Sequence, residues 1–185
     1  EANAKNIMLN EEFLTRFPYI GKMIWDDYKL TGKINISCRA SFNNQNKQKK
    51  MVYVININLN GVEAMYENWP FLIYNLNGDA ELNTEKLYLK GIVGYVKSGN
   101  CTSQAEFKGE FDLYGAKKTF VMTIPNLLVN EEFLRNIPDF GEQVWSKIQP
   151  TGLVDLTYQY NEGEKQESSC FLAVNCKDLE INPMD

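Results

Sequence analysis

Residues 10–40 of this chain read NEEFLTRFPYIGKMIWDDYKLTGKINISCRA, and residues 130–160 read NEEFLRNIPDFGEQVWSKIQPTGLVDLTYQY. Ten of the 31 aligned positions are identical: the opening NEEFL, then one proline, one glycine, one tryptophan and a Thr-Gly pair. Unrelated stretches share far fewer residues by chance. An internal repeat at a fixed interval is typical of stacked supersecondary units.

The similarity continues beyond this block with an offset of 117 residues, which aligns VININL (residues 54–59) with FLAVNC (residues 171–176). The three missing residues fall in a polar stretch, where we expect a hairpin turn. We therefore divide the chain into a first repeat unit, residues 1–125, with an incomplete N-terminal edge, and a partial second unit, residues 126–185. The chain is expected to be a segment of a longer repetitive protein.

Each repeat opens with a helix signal. Asn10 and Asn130 suit the N-cap position, and the two glutamates that follow complement the positive end of the helix dipole. A proline inside the helical stretch, Pro18 or Pro138, predicts a kink or two consecutive short helices. Apolar residues at helical spacing predict one buried stripe per repeat: Phe13, Phe17, Ile20, Ile24 and Tyr28 in the first, and Phe133, Ile137, Phe140, Val144 and Ile148 in the second.

Strict alternation after the Thr-Gly pair predicts strands. In residues 33–40 and 51–60, apolar side chains occupy one face and mainly asparagine, serine and basic side chains the other. This pattern indicates a long antiparallel hairpin with one dry and one wet face. Further strands are predicted at residues 71–76 before an Asn77-Gly78 turn, at 87–97, at 103–113 and at 119–124. The first unit is thus a helix plus about six strands, and the second a helix plus a hairpin.

The predicted fold class is therefore α+β and β-rich: an antiparallel meander sheet with short kinked amphipathic helices. Composition limits the function. The net charge of −5 and the pI near 5.0 argue against binding of nucleic acid or an anionic membrane surface. The sequence contains neither an apolar run long enough to span a bilayer nor a signal peptide, so any anchor of the parent protein is expected outside this segment.

Chemistry is not indicated by the sequence. The chain has no histidine, which removes Ser-His-Asp and Cys-His nucleophile pairs, and we expect no enzyme, no cofactor and no metal site. Cys38, Cys170 and Cys176 align with aromatic or aliphatic residues of the other repeat, so they are predicted to be small buried hydrophobes on apolar faces. The sequence does not decide whether any of the cysteines form a disulfide bond. Trp25 and Trp145 are predicted to pack, and Trp69 is the more exposed tryptophan.

The order of these pieces resembles the AsmA-like superfamily, which includes the translocation-and-assembly-module type of bacterial envelope protein. The resemblance lies in Trp145 followed by QPTGLVDL (149–156), in GVEA (61–64), in WPFLIYNLNG (69–78) and in LxLxGIxG (87–94). These motifs are degenerate and structural, although they extend over nearly the whole chain. The first repeat departs from the pattern, because it has Leu30 where the second has Pro150.

The resemblance implies an open, U-shaped β-groove with an apolar inner face that shields lipid acyl chains, and a location in the bacterial cell envelope or periplasm. Lipid is then the partner, and membrane contact is made only by parts of the parent protein outside this segment. The alternative is a repetitive structural or protein-interaction scaffold without lipid cargo, since an apolar sheet face covered by its own helix has the same pattern. The lipid-groove candidates are Ile55, Ile57, Leu59, Phe107, Phe111 and Leu113.

Overall fold

The structure is a computed structural model, which describes residues 1–16, 20–45, 48–65, 72–114, 117–137, 141–163 and 167–183. Strands dominate, and the described helices are short. In chain order the elements are β1 (Ala2–Leu9), α1 (Glu11–Leu14), α2 (Ile20–Tyr28), β2 (Thr31–Gln45), β3 (Gln48–Met65), β4 (Leu72–Asn83), β5 (Lys86–Ser98), β6 (Cys101–Asp112), β7 (Lys118–Val129), α3 (Glu131–Arg135), α4 (Gly141–Ile148), β8 (Thr151–Glu162) and β9 (Ser168–Glu180).

All the described strands belong to one nine-stranded sheet, in which each strand pairs antiparallel with its neighbours in sequence. The sheet does not close on itself, because β1 and β9 each have one paired neighbour. The predicted β-rich antiparallel meander with a few short helices is therefore confirmed. Consecutive strands that pair through short connections are the usual outcome of one-faced apolar alternation.

Both NEEFL segments form a single helical turn with an asparagine N-cap. The Asn10 side-chain oxygen accepts the N–H of Phe13 at 2.9 Å, and the Asn130 oxygen accepts that of Phe133 at 2.8 Å. A second helix, α2 or α4, follows each turn. The prediction of two consecutive short helices is met, while Pro18 and Pro138 lie outside the described residues.

Local backbone features recur 120 residues apart. Asn6 and Asn126 adopt left-handed φ values of 55° and 51°. Each lies at a register shift of its strand, and its backbone N–H donates to a side-chain oxygen, of Asn35 at 3.0 Å or of Asp155 at 2.9 Å. The shift bends β1 and β7 at the same place, shortly before the helices that follow them.

The glycine of each Thr-Gly pair permits a close backbone approach. Gly32 and Gly152 have φ values of +136° and +144°, which disfavour any side chain. A Cβ on Gly32 would lie 2.8 Å from the Cα of Val62, and one on Gly152 would lie 1.8 Å from the carbonyl oxygen of Asp178. Glycine at these positions therefore allows β2 and β8 to begin against the strands beside them.

One predicted turn is wrong. Strand β4 continues through Asn77 and Gly78, and the chain reverses after Asn83, whose side-chain oxygen accepts the N–H groups of Glu85 and Lys86 at 2.9 and 2.8 Å. Gly78 has a φ of +139°, and a Cβ there would come within 2.8 Å of the Cα of Ile92 in β5. It serves a close approach of two strands rather than a hairpin turn.

The strand predicted at residues 119–124 is longer than expected. Strand β7 runs to Val129 and passes through the exposed Pro125. That proline falls within the register shift between Ile124 and Leu127, where the ladder with β8 is interrupted. A strand tolerates proline at such a point because no N–H is needed for pairing.

The core lies between one face of the sheet and the helices. Leu14 of α1 and Phe133 and Leu134 of α3 are buried within the same cluster as apolar side chains of the eight strands β1–β8. Trp25 and Trp145 are half-buried and pack against this cluster, which confirms the packing interpretation of both tryptophans. Trp69 lies outside the described residues. Among the described residues no helix is both long and apolar enough to cross a bilayer.

Candidate functional site

The apolar face of the sheet is the candidate site, and its side chains form rows that run across the strands. Residues directly opposite each other in antiparallel neighbours point to the same side of the sheet. The pairing registers therefore define a continuous middle row that reaches from β2 to β9: Ile36, Ile57, Ala80, Leu89, Gly109, Phe120, Tyr160 and Cys170.

Two further rows flank the middle row on this face. The outer row lies toward the β2–β3 and β4–β5 hairpin ends and consists of Cys38, Ile55, Leu82, Leu87, Phe111, Lys118, Glu162 and Ser168. The inner row lies toward the helices, and register shifts interrupt it between β4 and β5. Its members are Ile34, Leu59 and Gly78, followed by Ile92, Phe107, Met122, Tyr158 and Leu172.

Burial falls from the inner row to the outer row. In the inner row the side chains of Ile34, Ile92 and Met122 are only 3–5% exposed to solvent, because the helices cover this part of the face. The middle row is mostly half-buried and packs against the core. The apolar side chains of the outer row are half-buried and lie outside the core cluster. The helices thus cover only the part of the apolar face that lies nearest to them.

The six predicted groove residues divide along this gradient. Phe107 is a core residue with 6% of its exposure, and Leu59 and Ile57 are half-buried against the core. Ile55 and Phe111 are half-buried members of the outer row. Leu113 follows the end of β6, where it is half-buried and its N–H donates to the carbonyl oxygen of Glu85 at 2.7 Å. Ile55 and Phe111 are therefore the candidates that helices leave uncovered.

Two positions of the middle row, Ala80 and Gly109, carry little or no side chain on the apolar face. Ala80 is buried at 6% exposure between larger side chains. A Cβ on Gly109 would lie 2.9 Å from a ring carbon of Phe111, so that this ring leans over the glycine. On the other side of Gly109, the ring of Phe120 packs 6.2 Å from that of Phe107. Ala80 and Phe120 were not among the predicted groove residues. A small residue such as Ala80 gives no hydrophobic signal, and the position of Phe120 beside Gly109 is known only once the pairing register of the strands is known.

The outer row becomes polar at β7. Lys118 forms an ion pair with Glu162 at 2.8 Å, and the hydroxyl of Tyr160 donates to the same carboxylate at 3.1 Å. The hydrogen bond to Glu162 raises the pKa of Lys118, against the opposing effect of burial. The hydrogen bonds from Lys118 and from Tyr160 lower the pKa of Glu162. Both groups are charged at neutral pH, and they limit the apolar part of the outer row to β2–β6.

The opposite face of the sheet is polar and hydrogen-bonded. The Asn35 side-chain amide donates to Asn58 at 3.2 Å, and that of Asn58 donates to Asp79 at 3.0 Å, which links β2, β3 and β4. Further along, Lys86 lies between Glu110 and Asp112 and pairs with both carboxylates. The hydrogen bond to Glu110 is the main cause that raises the pKa of Lys86. These contacts link neighbouring strands on the polar face, although one buried oxygen of Asp112 has no hydrogen-bond partner beyond its ion pair with Lys86.

Two shallow depressions indent the surface, and the lining of the first includes Leu89 and Gly109 of the middle row. The first, on the polar face, is lined by residues that include Tyr88, Lys108 and Glu110. The second lies beside α1, next to Glu12 and Trp25. Within the described ranges, no three His, Cys, Asp or Glu side chains are grouped in a way that could hold a metal ion. The unusual feature of this surface is therefore the apolar outer row.

The cysteines are less buried than predicted. All four are free thiols; Cys38 is half-buried, while Cys170 and Cys176 are exposed. Cys170 and Cys176 do lie on the apolar face, opposite Tyr160 and Val154. The prediction of burial is wrong for these two because β9 is an edge strand with a neighbour on one side only.

Comparison of the chain with protein-family models, with curated proteins and with solved structures finds no match. The apolar face of the sheet is therefore the feature of the molecule that bears on its function.

Proposed function

We propose that this chain is a non-catalytic module that binds or shields lipid acyl chains on the apolar face of its sheet. The observation that supports the proposal is the outer row: Ile55, Leu82, Leu87 and Phe111 are lateral neighbours, all partly exposed, on strands whose helix-proximal ends are buried. Adjacent apolar side chains that a protein leaves uncovered mark a binding surface more often than isolated ones do.

The dimensions of the row suit an extended hydrocarbon chain. Adjacent strands are about 4.8 Å apart, so the apolar part of the row from β2 to β6 extends roughly 19 Å across the sheet. An acyl chain that lies in this direction contacts Ile55 and Phe111 near its two ends and passes above Ala80 beside the row. Each methylene group that leaves water contributes about 0.8 kcal/mol, so ten of them contribute roughly 8 kcal/mol before the cost of ordering the chain.

The charged end of the row supports a directional arrangement. Lys118 directly faces Phe111 across β6 and β7, and its ion pair with Glu162 interrupts the apolar surface at this point. A hydrocarbon chain gains nothing beyond this position, because its contact with charged groups does not replace their hydration. A lipid therefore lies with its tail over β2–β6, and its polar part is free to meet the charged groups at β7 and β8.

The architecture proposed for the parent protein is repetitive. The backbone features shared by Asn6 and Asn126, and the matching helix caps at Asn10 and Asn130, favour a unit that recurs every 120 residues. With the AsmA-like sequence resemblance, they support a module of a bacterial cell-envelope protein that serves lipid transport. On this proposal lipid is the partner, nucleic acid is not, and contact with a membrane is made by other parts of the parent protein.

The test measures lipid binding by variants of the outer row. We expect Phe111→Glu and Ile55→Glu to abolish binding of an environment-sensitive fluorescent phospholipid and to remove co-purified lipid in native mass spectrometry. Both side chains are partly exposed, and Lys118 opposite Phe111 offers a counter-charge, so the fold should survive in circular dichroism. The matched control is Gln104→Glu, which adds the same charge to β6 at an exposed position on the other face.

Retention of lipid by both folded outer-row variants would refute the proposal, and so would a wild-type protein that neither co-purifies with lipid nor binds the probe. Loss of lipid in the Gln104→Glu control would show a nonspecific effect of charge. The second candidate function is a protein-interaction scaffold. The observation that favours it is the exposed apolar surface of β9, where Phe171, Leu172 and Val174 are about half-exposed.

A further inference from the structure

We propose that the depression on the polar face of β5–β7 is a binding site for a neutral oligosaccharide. Lipid binding is not required for this, because it concerns the opposite face of the sheet. Three features of the molecule support the assignment: an open floor at an irregularity of β5, paired charges around it, and tyrosine rings along the same face.

The floor of the depression includes Gly91, which lies at an irregularity of β5. Between the paired residues Leu89 and Ile92, two residues of β5 face a single residue of β6. Gly91 is one of the two; its φ is 65°, and a Cβ placed on it would meet no atom within 4 Å. The depression has a volume of about 370 Å³, at the lower end of the range of small-molecule sites. A glycine at such a bulge lets a ligand approach the backbone closely.

Side chains of three strands surround this floor. Tyr88, Glu110 and Thr119 are lateral neighbours in consecutive strands, so they point to the same side of the sheet. Lys90 and Lys108 complete this part of the lining. Tyr88 and Thr119 are half-buried, while both lysines are exposed. The ring and the hydroxyl group therefore lie deeper in the depression than the ammonium groups.

Both lysines of the lining are paired with carboxylates. The ammonium of Lys90 lies 2.6 Å from the carboxylate of Glu81, and that of Lys108 lies 2.7 Å from that of Glu106. An anionic ligand would compete with these carboxylates for the lysines, and a cationic ligand would compete with the lysines for the carboxylates. The balance of charge around the depression therefore favours a neutral ligand.

A sugar is the neutral ligand that suits paired charges. An ammonium group has three donors and a carboxylate about four acceptor sites, so an ion pair keeps further donors and acceptors for a ligand. Adjacent hydroxyl groups of a sugar ring can accept from the ammonium and donate to the carboxylate of the same pair, in hydrogen bonds that are stronger than neutral ones. The ring of Tyr88 offers an apolar surface to the C–H groups of the sugar.

Further tyrosine rings lie along β5 on the same face. Tyr95 points to the polar face, because Val96 beside it is buried in the core. Its ring lies 6.0 Å from that of Tyr74 in β4, whose hydroxyl group forms a 3.1 Å hydrogen bond with that of Thr102. Seven positions separate Tyr88 from Tyr95, which corresponds to roughly 20 Å along a strand. A linear chain of several sugar units can therefore lie with one end in the depression and the other on the tyrosine pair.

The first test fills the floor of the depression. We expect the wild-type chain to bind neutral oligosaccharides on a glycan array, and saturation-transfer NMR to detect the bound sugar in solution. Gly91→Asn should abolish binding, because its side chain occupies the open floor. The fold should survive in a thermal melt, since Asn6 and Asn126 adopt similar φ values of 55° and 51° at register shifts of this sheet.

The matched control is Gly61→Asn. Gly61 has a φ of 66° at a register shift of β3 and lies outside the lining of the depression. The control therefore makes the same chemical change in the same backbone conformation, and it should retain full binding.

The second test examines the ring of Tyr88. Tyr88→Leu keeps an apolar side chain but removes the ring, so the affinity for the sugar should fall by about tenfold or more. Tyr88→Phe keeps the ring and should bind nearly as well as the wild-type chain. High salt should leave the affinity of the wild-type chain unchanged, because the ligand carries no charge.

Absence of binding to every neutral oligosaccharide on the array would overturn the proposal, and so would binding confined to sulfated or phosphorylated glycans. Undiminished binding by Gly91→Asn, or an equal loss in Gly61→Asn, would exclude the depression as the site. If Gly91→Asn does not fold, the Tyr88 variants decide, and equal affinities of Tyr88→Leu and Tyr88→Phe would then refute the assignment.

Discussion

Phe107 and Phe111 provide the sharpest test of the burial gradient, because they are the same residue type on the same face of β6. Phe107 retains 6% of its exposure and packs against the ring of Phe120 at a centroid distance of 6.2 Å. Phe111 is half-buried and lies outside the core cluster. Truncation to alanine should therefore have very different effects at the two positions.

The magnitudes follow from burial. Phe107→Ala removes a ring from a closed core and leaves a cavity, which costs roughly 3–5 kcal/mol of unfolding free energy. Phe111→Ala removes a ring that water already reaches. Full burial of a phenylalanine contributes about 1.5–3 kcal/mol, so the buried part of Phe111 corresponds to roughly 1–2 kcal/mol, with no closed cavity to add.

The assay is urea unfolding followed by circular dichroism, with a thermal melt as a second measurement. For a chain of this size 1 kcal/mol corresponds to about 2–4 °C in Tm, so we expect a fall of roughly 6–20 °C for Phe107→Ala and about 2–8 °C for Phe111→Ala. Gln104→Ala, at an exposed position of the same strand, should change the free energy by less than about 0.5 kcal/mol. Equal losses for the two phenylalanines would refute the view that helices cover only one part of the apolar face.

Three further predictions concern pH, backbone and capping. The hydrogen bond from Lys177, with that from the Asn126 N–H, lowers the pKa of Asp155 in the folded protein. The ionised Asp155 therefore stabilises the fold at a pH above the pKa that this residue has in the unfolded chain, and this stabilisation is lost as the pH falls through the lower, folded-state pKa. The urea midpoint of the wild-type protein should fall between pH 7 and about pH 3, and this fall should be smaller in Asp155→Asn. A fall of the same size in both proteins would contradict the prediction. Gly152→Ala should cost at least about 2 kcal/mol in a thermal melt, given its φ of +144° and the adjacent carbonyl, and a loss below about 0.5 kcal/mol would exclude this strain. Asn130→Ala should cost about 1 kcal/mol by urea unfolding and Asn130→Ser much less; equal costs would argue against the N-cap bond.

Local sequence patterns predicted most of the elements, and one failure is informative. The Asn-Gly pair at residues 77–78 has the composition of a hairpin turn, but Gly78 lies within β4 because β5 approaches its backbone closely. The same dihedral freedom of glycine serves both purposes. Sequence alone does not distinguish a turn from a close approach, since the difference lies in a strand several residues away.

The site illustrates the same division between local and distant information. Alternation correctly assigned Ile55 and Phe111 to one face of the sheet, because side-chain direction in a strand is a local property. It equally selected Phe107, which the structure places in the core. How far a helix extends across a sheet depends on tertiary packing. The alternation of residues within one strand therefore does not predict which apolar side chains the helix covers.

The amino-acid sequence by itself determined the helix caps at Asn10 and Asn130, the alternation of the strands and therefore the meander, since these depend on residues within a few positions of each other. Only the tertiary structure decided how far the helices cover the apolar face. Cys170 shows the difference: its pattern is that of a buried residue, yet it is exposed because no described strand pairs with the outer side of β9. Burial depends on neighbours that are distant in the chain, so an identical local pattern leads to a core position in one strand and an open surface in another.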